Sequence, residues 1–288
     1  MGELVQSLLS ALGAEVVSYL AGLLGGIARL LASFVFQTAD PTSPGRAFTQ
    51  LEVIHRLLPL VQMIANAALT AVVMWGAYRT IWMGGTTVSM FSRGNLQRLV
   101  PRLGLAALLI NTAPPLIQLV IDANNALCLS VAQATRLTAV DFLFNGLQSD
   151  LANPGPKSFV AAIVVVAYAL LGVSYVVRFA LLVVLVVLSP AAALLFVLPE
   201  TQHWAHQWGS LFVGALFSQP LQLLVIALGL ALDAYLPLPF GHLFGLATIY
   251  ICFRIPGALH STSAAGRRAV GYARREIRVM TKSIAKAL

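Results

Sequence analysis

The sequence predicts an all-α, polytopic membrane protein, and three observations support this fold class. Of the 288 residues, 59% are hydrophobic and only 10% are charged, whereas about 25% of a soluble domain is charged. The mean hydropathy is +0.85. The long apolar stretches lack the strict polar alternation of transmembrane strands, and this favours α-helical spans.

Five apolar segments are candidates for transmembrane helices, since crossing the hydrocarbon core takes about 20 residues. We predict spans at about 57–78, 103–121, 158–180, 209–232 and 242–259. Pro114 and Pro115 are expected to interrupt the second span. The predicted domains are an outer amphipathic helical region at 1–50, a five-span membrane domain at 51–260 with an outer loop at 122–157, and a basic amphipathic cytoplasmic tail at 261–288.

The basic residues predict the orientation of the chain. The segment 79–102 contains four arginines and no acidic residue, and the tail beyond residue 260 contains seven basic residues and one acidic residue, Glu276. Because Lys and Arg accumulate on the cytoplasmic side of transmembrane segments, both segments are predicted to be cytoplasmic. The N-terminus and the loop 122–157 are then outside.

One apolar run, 158–199, is too long for a single ordinary span. It contains 42 residues and one charge, Arg178. The predicted orientation requires an odd number of crossings, so we predict one span followed by a segment that enters the membrane and returns. Pro190 lacks a backbone donor and disfavours helix at Ser189. A Pro-broken, re-entrant segment is therefore predicted at Ser189–Pro190, shielded by protein.

The N-terminal region combines helical periodicity with a ladder of small residues. Apolar residues recur at helical spacing over 3–37, and small residues follow one face at four-residue steps. This ladder consists of Ala14, Ser18, Gly22 and Gly26. Small side chains allow close helix–helix approach, so we expect the ladder at an interface between copies of the chain. Packing within one chain, or a membrane-surface helix, is the alternative.

The arrangement resembles the TrbL-like polytopic inner-membrane subunit of type IV secretion and conjugation systems. The topology matches over nearly the whole chain, and the residue matches fall within about 158–260. The residues that carry the resemblance are Arg178, Ser189-Pro190, Pro199-Glu200-Thr201, Trp204, Trp208 and Gln219-Pro220.

The resemblance implies an inner-membrane channel or scaffold subunit of a conjugative DNA-transfer machine. It implies a multi-pass protein of the bacterial inner (cytoplasmic) membrane that assembles into a ring, with five subunits as the suggested number. Its implied partners are membrane lipids, secretion ATPases inside, pilin or stalk subunits outside, and translocating DNA. A secondary transporter or small-solute permease is the competing class, but such proteins usually contain repeats, and none is evident.

The C-terminal segment 266–288 has the pattern of a basic amphipathic helix. Apolar residues fall on one face, and basic residues occupy the other side: Arg267, Arg268, Arg274, Arg275, Arg278, Lys282 and Lys286. A helix on the inner leaflet is the favoured interpretation. Docking to an ATPase and contact with DNA phosphates are the alternatives.

The sequence contains no catalytic constellation, so we predict neither an enzyme nor a cofactor. Glu200, His203 and His206 recur at three-residue steps, which would suit metal ligands. A boundary belt with the neighbouring tryptophans is the favoured interpretation. Cys128, placed in a connecting segment, and Cys252, placed in a span, are expected to be apart and unpaired.

Charged and polar residues near or within the spans have two interpretations. Arg178 and Arg254 lie near span ends, where snorkelling to lipid phosphates competes with polar contacts between helices or subunits. Glu200 is a candidate partner for Arg178. The amides within spans are expected to connect helices or to line a translocation path; they are Asn66, Asn111, Gln118, Gln219 and Gln222.

Overall fold

The computed structural model describes most of the predicted membrane domain. The described residues are 15, 18, 19, 22, 25, 26, 34–38, 46–82, 93–135, 156–197, 201–235 and 244–259. They are almost entirely helical and contain no strand. The predicted all-α membrane class is confirmed.

Six α-helices form the described bundle, after a short 3-10 turn at Phe48–Gln50. They are α1 (Glu52–Trp82), α2 (Arg93–Ala134), α3 (Pro156–Val187), α4 (Ser189–Leu195), α5 (Gln202–Tyr235) and α6 (Phe244–Leu259). In α5, 56% of the most apolar window is buried, against 17% in α1. Helix α5 is therefore central, and α1 is peripheral.

Four of the helices in the described residues are long and apolar enough to cross a membrane. The candidate spans are Glu52–Trp75, Pro101–Ala134, Ala161–Val187 and Gln202–Leu232. The fifth predicted span corresponds to α6, a shorter apolar helix that extends about 24 Å at 1.5 Å per residue. The described residues thus contain four full-length spans and one short apolar helix.

Helix α2 is longer than the sequence predicted. It continues to Ala134, so the first part of the predicted loop 122–157 is helical, and it passes through Pro114 and Pro115. Pro114 cannot donate to the carbonyl four residues earlier, but Gln62 Nε2 on α1 donates to this Ile110 oxygen at 3.2 Å. A neighbouring side chain thus replaces the missing donor.

The extension of α2 also corrects the placement of one cysteine. Cys128 lies within α2 rather than in a connecting segment. It belongs to the same buried apolar cluster as Cys252 of α6. Both are free thiols.

The long apolar run 158–199 is divided between two helices. Helix α3 ends at Val187, Leu188 forms a turn, and Ser189 and Pro190 begin α4. The Ser189 hydroxyl donates to Val186 O at 2.7 Å, the carbonyl four residues before Pro190. Helix α4 packs against α1, α2 and α5, an enclosure that a re-entrant segment requires.

Helices α5 and α6 approach closely at a glycine. A Cβ atom on Gly229 would lie 2.6 Å from Thr248 Cγ2, too close for any larger residue without a shift. The Thr248 hydroxyl donates to Phe244 O at 2.6 Å, which restricts its rotation. The missing side chain at Gly229 therefore lets the two helices pack together.

Candidate functional site

A buried group of polar side chains joins three helices to the end of the N-terminal region. We call it the polar junction; its members are Thr38, Asn124, Asn125, Arg178 and Gln219. They lie on the segment 34–38, α2, α3 and α5. Thr38, Asn124 and Gln219 are at most 4% exposed. Such burial makes hydrogen bonding within the protein necessary.

Arg178 of α3 directs its guanidinium onto α5. Its Nε donates to Ala215 O at 2.6 Å, and its Nη2 donates to Gln219 Oε1 at 2.7 Å and to Leu216 O at 3.3 Å. No carboxylate pairs with it within the described part of the chain, where the recorded ion pair joins Glu52 and Arg56. A charge among apolar helices is costly, so neutral oxygens must solvate this one.

Pro220 explains one of the carbonyl acceptors on α5. A proline inside a helix cannot donate to the carbonyl four residues earlier, which here is Leu216 O. An unsatisfied carbonyl in a membrane costs several kcal/mol. Arg178 supplies the missing donor. This hydrogen bond gives the buried guanidinium an acceptor and gives Leu216 O a donor.

Gln219 connects the arginine to the rest of the junction. Its Oε1 accepts hydrogen bonds from Arg178, from Thr38 Oγ1 at 2.7 Å and from Asn124 Nδ2 at 3.0 Å. Its Nε2 donates to Val35 O at 2.8 Å and to Phe34 O at 3.2 Å. One amide therefore links α2, α3 and α5 to the N-terminal segment.

The segment 34–38 is held by backbone contacts as well. Thr38 N donates to Asn125 Oδ1 at 2.8 Å, and Asn125 Nδ2 donates back to Thr38 O at 3.2 Å. Phe34 packs edge-on against Phe179 of α3, with ring centroids 5.1 Å apart. The end of the N-terminal region is thus fastened to the membrane bundle.

The neighbourhood of the junction also contains acceptors with unused capacity. Asn124 Oδ1, Tyr175 OH and Gln222 Oε1 are buried and have no hydrogen-bond partner among the described residues. Tyr175 lies beside the arginine, with Arg178 Cζ 6.0 Å from its ring centroid. The chemistry available here is hydrogen bonding and charge solvation.

The predicted boundary residues have different outcomes. Arg178 makes the inter-helix contact that was the alternative to snorkelling, while Glu200 lies outside the described residues. Arg254 is exposed on α6, and its Nε donates to Tyr250 OH at 3.1 Å. It therefore contacts its own helix.

The candidate metal ligands are only partly described. His203 and His206 are exposed on the first turns of α5, and His206 packs edge-on against Phe196, with ring centroids 6.3 Å apart. The described residues contain no group of three or more metal-ligating side chains.

The ladder and the tail also extend beyond the description. Ala14 lies outside it, but Ser18 and Gly22 are exposed. An added Cβ at Gly22 or Gly26 would meet nothing within 4 Å. The seven basic residues of the tail, Arg267, Arg268, Arg274, Arg275, Arg278, Lys282 and Lys286, lie outside the described residues.

The five amides predicted within spans all form hydrogen bonds. Asn66 Nδ2 donates to Asn111 Oδ1 at 3.4 Å, and Gln118 accepts from Thr49 and donates to Asp122. Gln222 Nε2 donates to Cys252 O at 2.9 Å. These contacts correspond to the helix-connecting interpretation.

Sequence reasoning missed three members of the junction. Thr38 lies just beyond the predicted helical pattern at 3–37, and Asn124 and Asn125 were placed in the loop 122–157. The proline that follows Gln219 inside an apolar span was the available signal, because a freed carbonyl calls for a nearby donor.

These features define a polytopic helical membrane protein with a buried arginine at a proline-containing helix. A family model described as conjugal transfer protein TrbL matches residues 95–285, more than half of the chain. The chain belongs to this TrbL family, and the predicted resemblance is confirmed. Comparison with curated proteins and with solved structures found no match.

Replacing Gln219 tests the polar junction. Gln219→Leu removes the acceptor that Arg178, Thr38 and Asn124 share, and loss of a hydrogen bond to a charged group costs about 1.5–3 kcal/mol. Thermal unfolding of the purified protein in detergent should shift downward by several degrees. Gln207→Leu is the matched control, because Gln207 is exposed on the same helix. Equal unfolding temperatures for the two variants would contradict the role of the junction.

Proposed function

We propose that the chain is an inner-membrane channel or scaffold subunit of a type IV secretion or conjugative DNA-transfer machine, and that scaffolding is its main role. Membership of the TrbL family makes it a component of a conjugal transfer system. This family consists of structural secretion components and is not a known enzyme family. The scaffold role goes beyond family membership and is argued from the bundle.

The observation that carries the scaffold role is the fastening of segment 34–38 by Gln219 and Arg178. A mechanical force on the N-terminal region would be transmitted through these hydrogen bonds to α3 and α5. The described ladder residues Ser18, Gly22 and Gly26 meanwhile leave space for another helix. An anchored base with an uncovered small-residue face suits assembly with other subunits.

The interior of the bundle also supports the scaffold role. The amides within the candidate spans hydrogen bond to other parts of the chain, and apolar clusters fill much of the space between helices. A conduit would then form between copies rather than within one copy. We propose a homo-oligomeric ring, with five subunits suggested by the family resemblance.

The proposed partners lie on both sides of the membrane. The N-terminal region would contact pilin or stalk subunits outside. The basic tail would lie on anionic lipid of the inner leaflet or contact secretion ATPases, and translocating DNA would pass along the ring. The proposed orientation places the N-terminus outside and the C-terminus in the cytoplasm, because Arg and Lys accumulate there.

Cysteine labelling in intact cells tests the orientation. A cysteine at Ser149 should react with a membrane-impermeant maleimide, whereas a cysteine at Ser283 should react only after the membrane is opened. The parent chain is the control, since Cys128 and Cys252 are buried and should stay unlabelled. Labelling of Ser283→Cys in intact cells, with protection of Ser149→Cys, would reverse the orientation.

Larger side chains on the ladder test whether this face mediates assembly of the copies. Gly22→Leu combined with Gly26→Leu should leave membrane insertion intact but reduce crosslinked oligomers and plasmid transfer from donor cells at least tenfold. Gly104→Leu combined with Gly245→Leu is the matched control, because an added Cβ has open space at both positions. Unchanged oligomers in the ladder variant would remove this face from the interface. Intact oligomers with lost transfer would instead assign the ladder to another partner.

A further inference from the structure

An apolar groove of about 380 Å³ lies between α2, α4 and α5, away from the polar junction. Leu109 and Ile117 line it from α2, Phe196 follows α4, and Trp208 and Phe212 line it from α5. The indole of Trp208 stacks on Phe212, with ring centroids 5.5 Å apart. The wall of the groove is therefore largely aromatic and aliphatic.

The polar groups at the groove are already used. Trp208 Nε1 donates to Leu185 O at 3.0 Å, and the Ser189 hydroxyl donates to Val186 O. These bonds satisfy carbonyls at the end of α3. The wall thus offers little hydrogen bonding to an occupant, so the part of an occupant inside the groove must be apolar.

The groove is large enough for part of an alkyl chain. A cavity of about 150 Å³ already holds a benzene molecule, and this groove has a volume of about 380 Å³. A flexible apolar chain therefore fits between α2, α4 and α5.

A basic residue lies on the same face of α2, beyond the end of the groove that Leu109 lines. Arg102 precedes Leu109 by seven residues, so the two share a helix face about 10 Å apart along the axis. Arg102 is half-buried and forms no ion pair within the described part of the chain. An apolar groove with a basic residue beyond its end is complementary to an anionic amphiphile.

We propose that this groove binds an anionic phospholipid, with one acyl chain between α2, α4 and α5 and the headgroup phosphate at Arg102. The lipid would fill the space beside the α3–α4 break and fix α4 against α2 and α5. This site is independent of the transfer function proposed above. A lipid that met only the general surface of the bundle would show no dependence on Arg102.

Fluorescence quenching of Trp208 measures occupancy of the groove. The full chain contains four tryptophans; replacing Trp75, Trp82 and Trp204 by Phe leaves Trp208 as the reporter. The variant is placed in phosphatidylcholine vesicles in two series. One series contains increasing fractions of brominated phosphatidylglycerol, and the other contains increasing fractions of brominated phosphatidylcholine. In both lipids the bromine is on the acyl chains. Brominated phosphatidylglycerol should quench at about fivefold lower mole fraction, the preference expected for one Arg–phosphate contact.

Two substitutions assign the preference to the groove. Arg102→Gln should bring the two quenching curves together, whereas Arg254→Gln, which removes an exposed arginine on α6, should leave them apart. Gly209→Leu should reduce quenching by both lipids, because an added Cβ at this groove residue meets no atom within 4 Å. Gly104→Leu, on the opposite face of α2, is its control.

Two results would overturn the proposal. Equal quenching by both lipids in the parent, unaffected by Arg102→Gln, would mean that no anionic lipid is selected. A second copy would be the occupant if both lipids quench weakly and if the Gly209→Cys variant, unlike the parent chain, forms a disulfide between copies.

Discussion

A proline inside a membrane-embedded helix leaves a carbonyl that the surrounding lipid cannot satisfy, and the bundle is organised around this constraint. Pro114 leaves Ile110 O, which accepts from Gln62 of α1. At the break between α3 and α4, Pro190 likewise cannot donate to Val186 O, which accepts from the adjacent Ser189 hydroxyl. Pro220 leaves Leu216 O, which accepts from Arg178 of α3. Two of these three bonds join different helices, so the positions of prolines help to decide which helices pack together.

The bond at Leu216 has the widest consequences because its donor carries a charge. Arg178 needs several oxygens to replace water, and α5 supplies the oxygens of Ala215, Leu216 and Gln219. Gln219 then has its amide nitrogen free to hold the carbonyls of Phe34 and Val35. The proposed scaffold role rests on this sequence of contacts, which connects the N-terminal region with the central helix of the bundle.

Local patterns in the sequence predicted the features that depend on neighbouring residues. The helical membrane class followed from composition, and Ser189–Pro190 was singled out because proline affects its own helix. The end of α2 was misplaced because the polar residues Asp122, Asn124 and Asn125 suggest a loop. Within the bundle, the two asparagines find partners more than 80 residues away in sequence. The sequence left two interpretations of Arg178 open for the same reason. Its acceptors are separated from it along the chain and come within reach only when α3 and α5 pack together.

A double-mutant cycle on Arg178 and Pro220 tests the central claim most directly. The free energy of unfolding is measured in detergent for the parent, Arg178→Met, Pro220→Ala and the double variant. An alanine at position 220 can donate to Leu216 O, so loss of the guanidinium should then cost less. The account predicts a coupling free energy of about 1–3 kcal/mol, with the arginine more important when Pro220 is present. Additive effects of the two substitutions would contradict the claim that the arginine solvates the carbonyl that the proline leaves free.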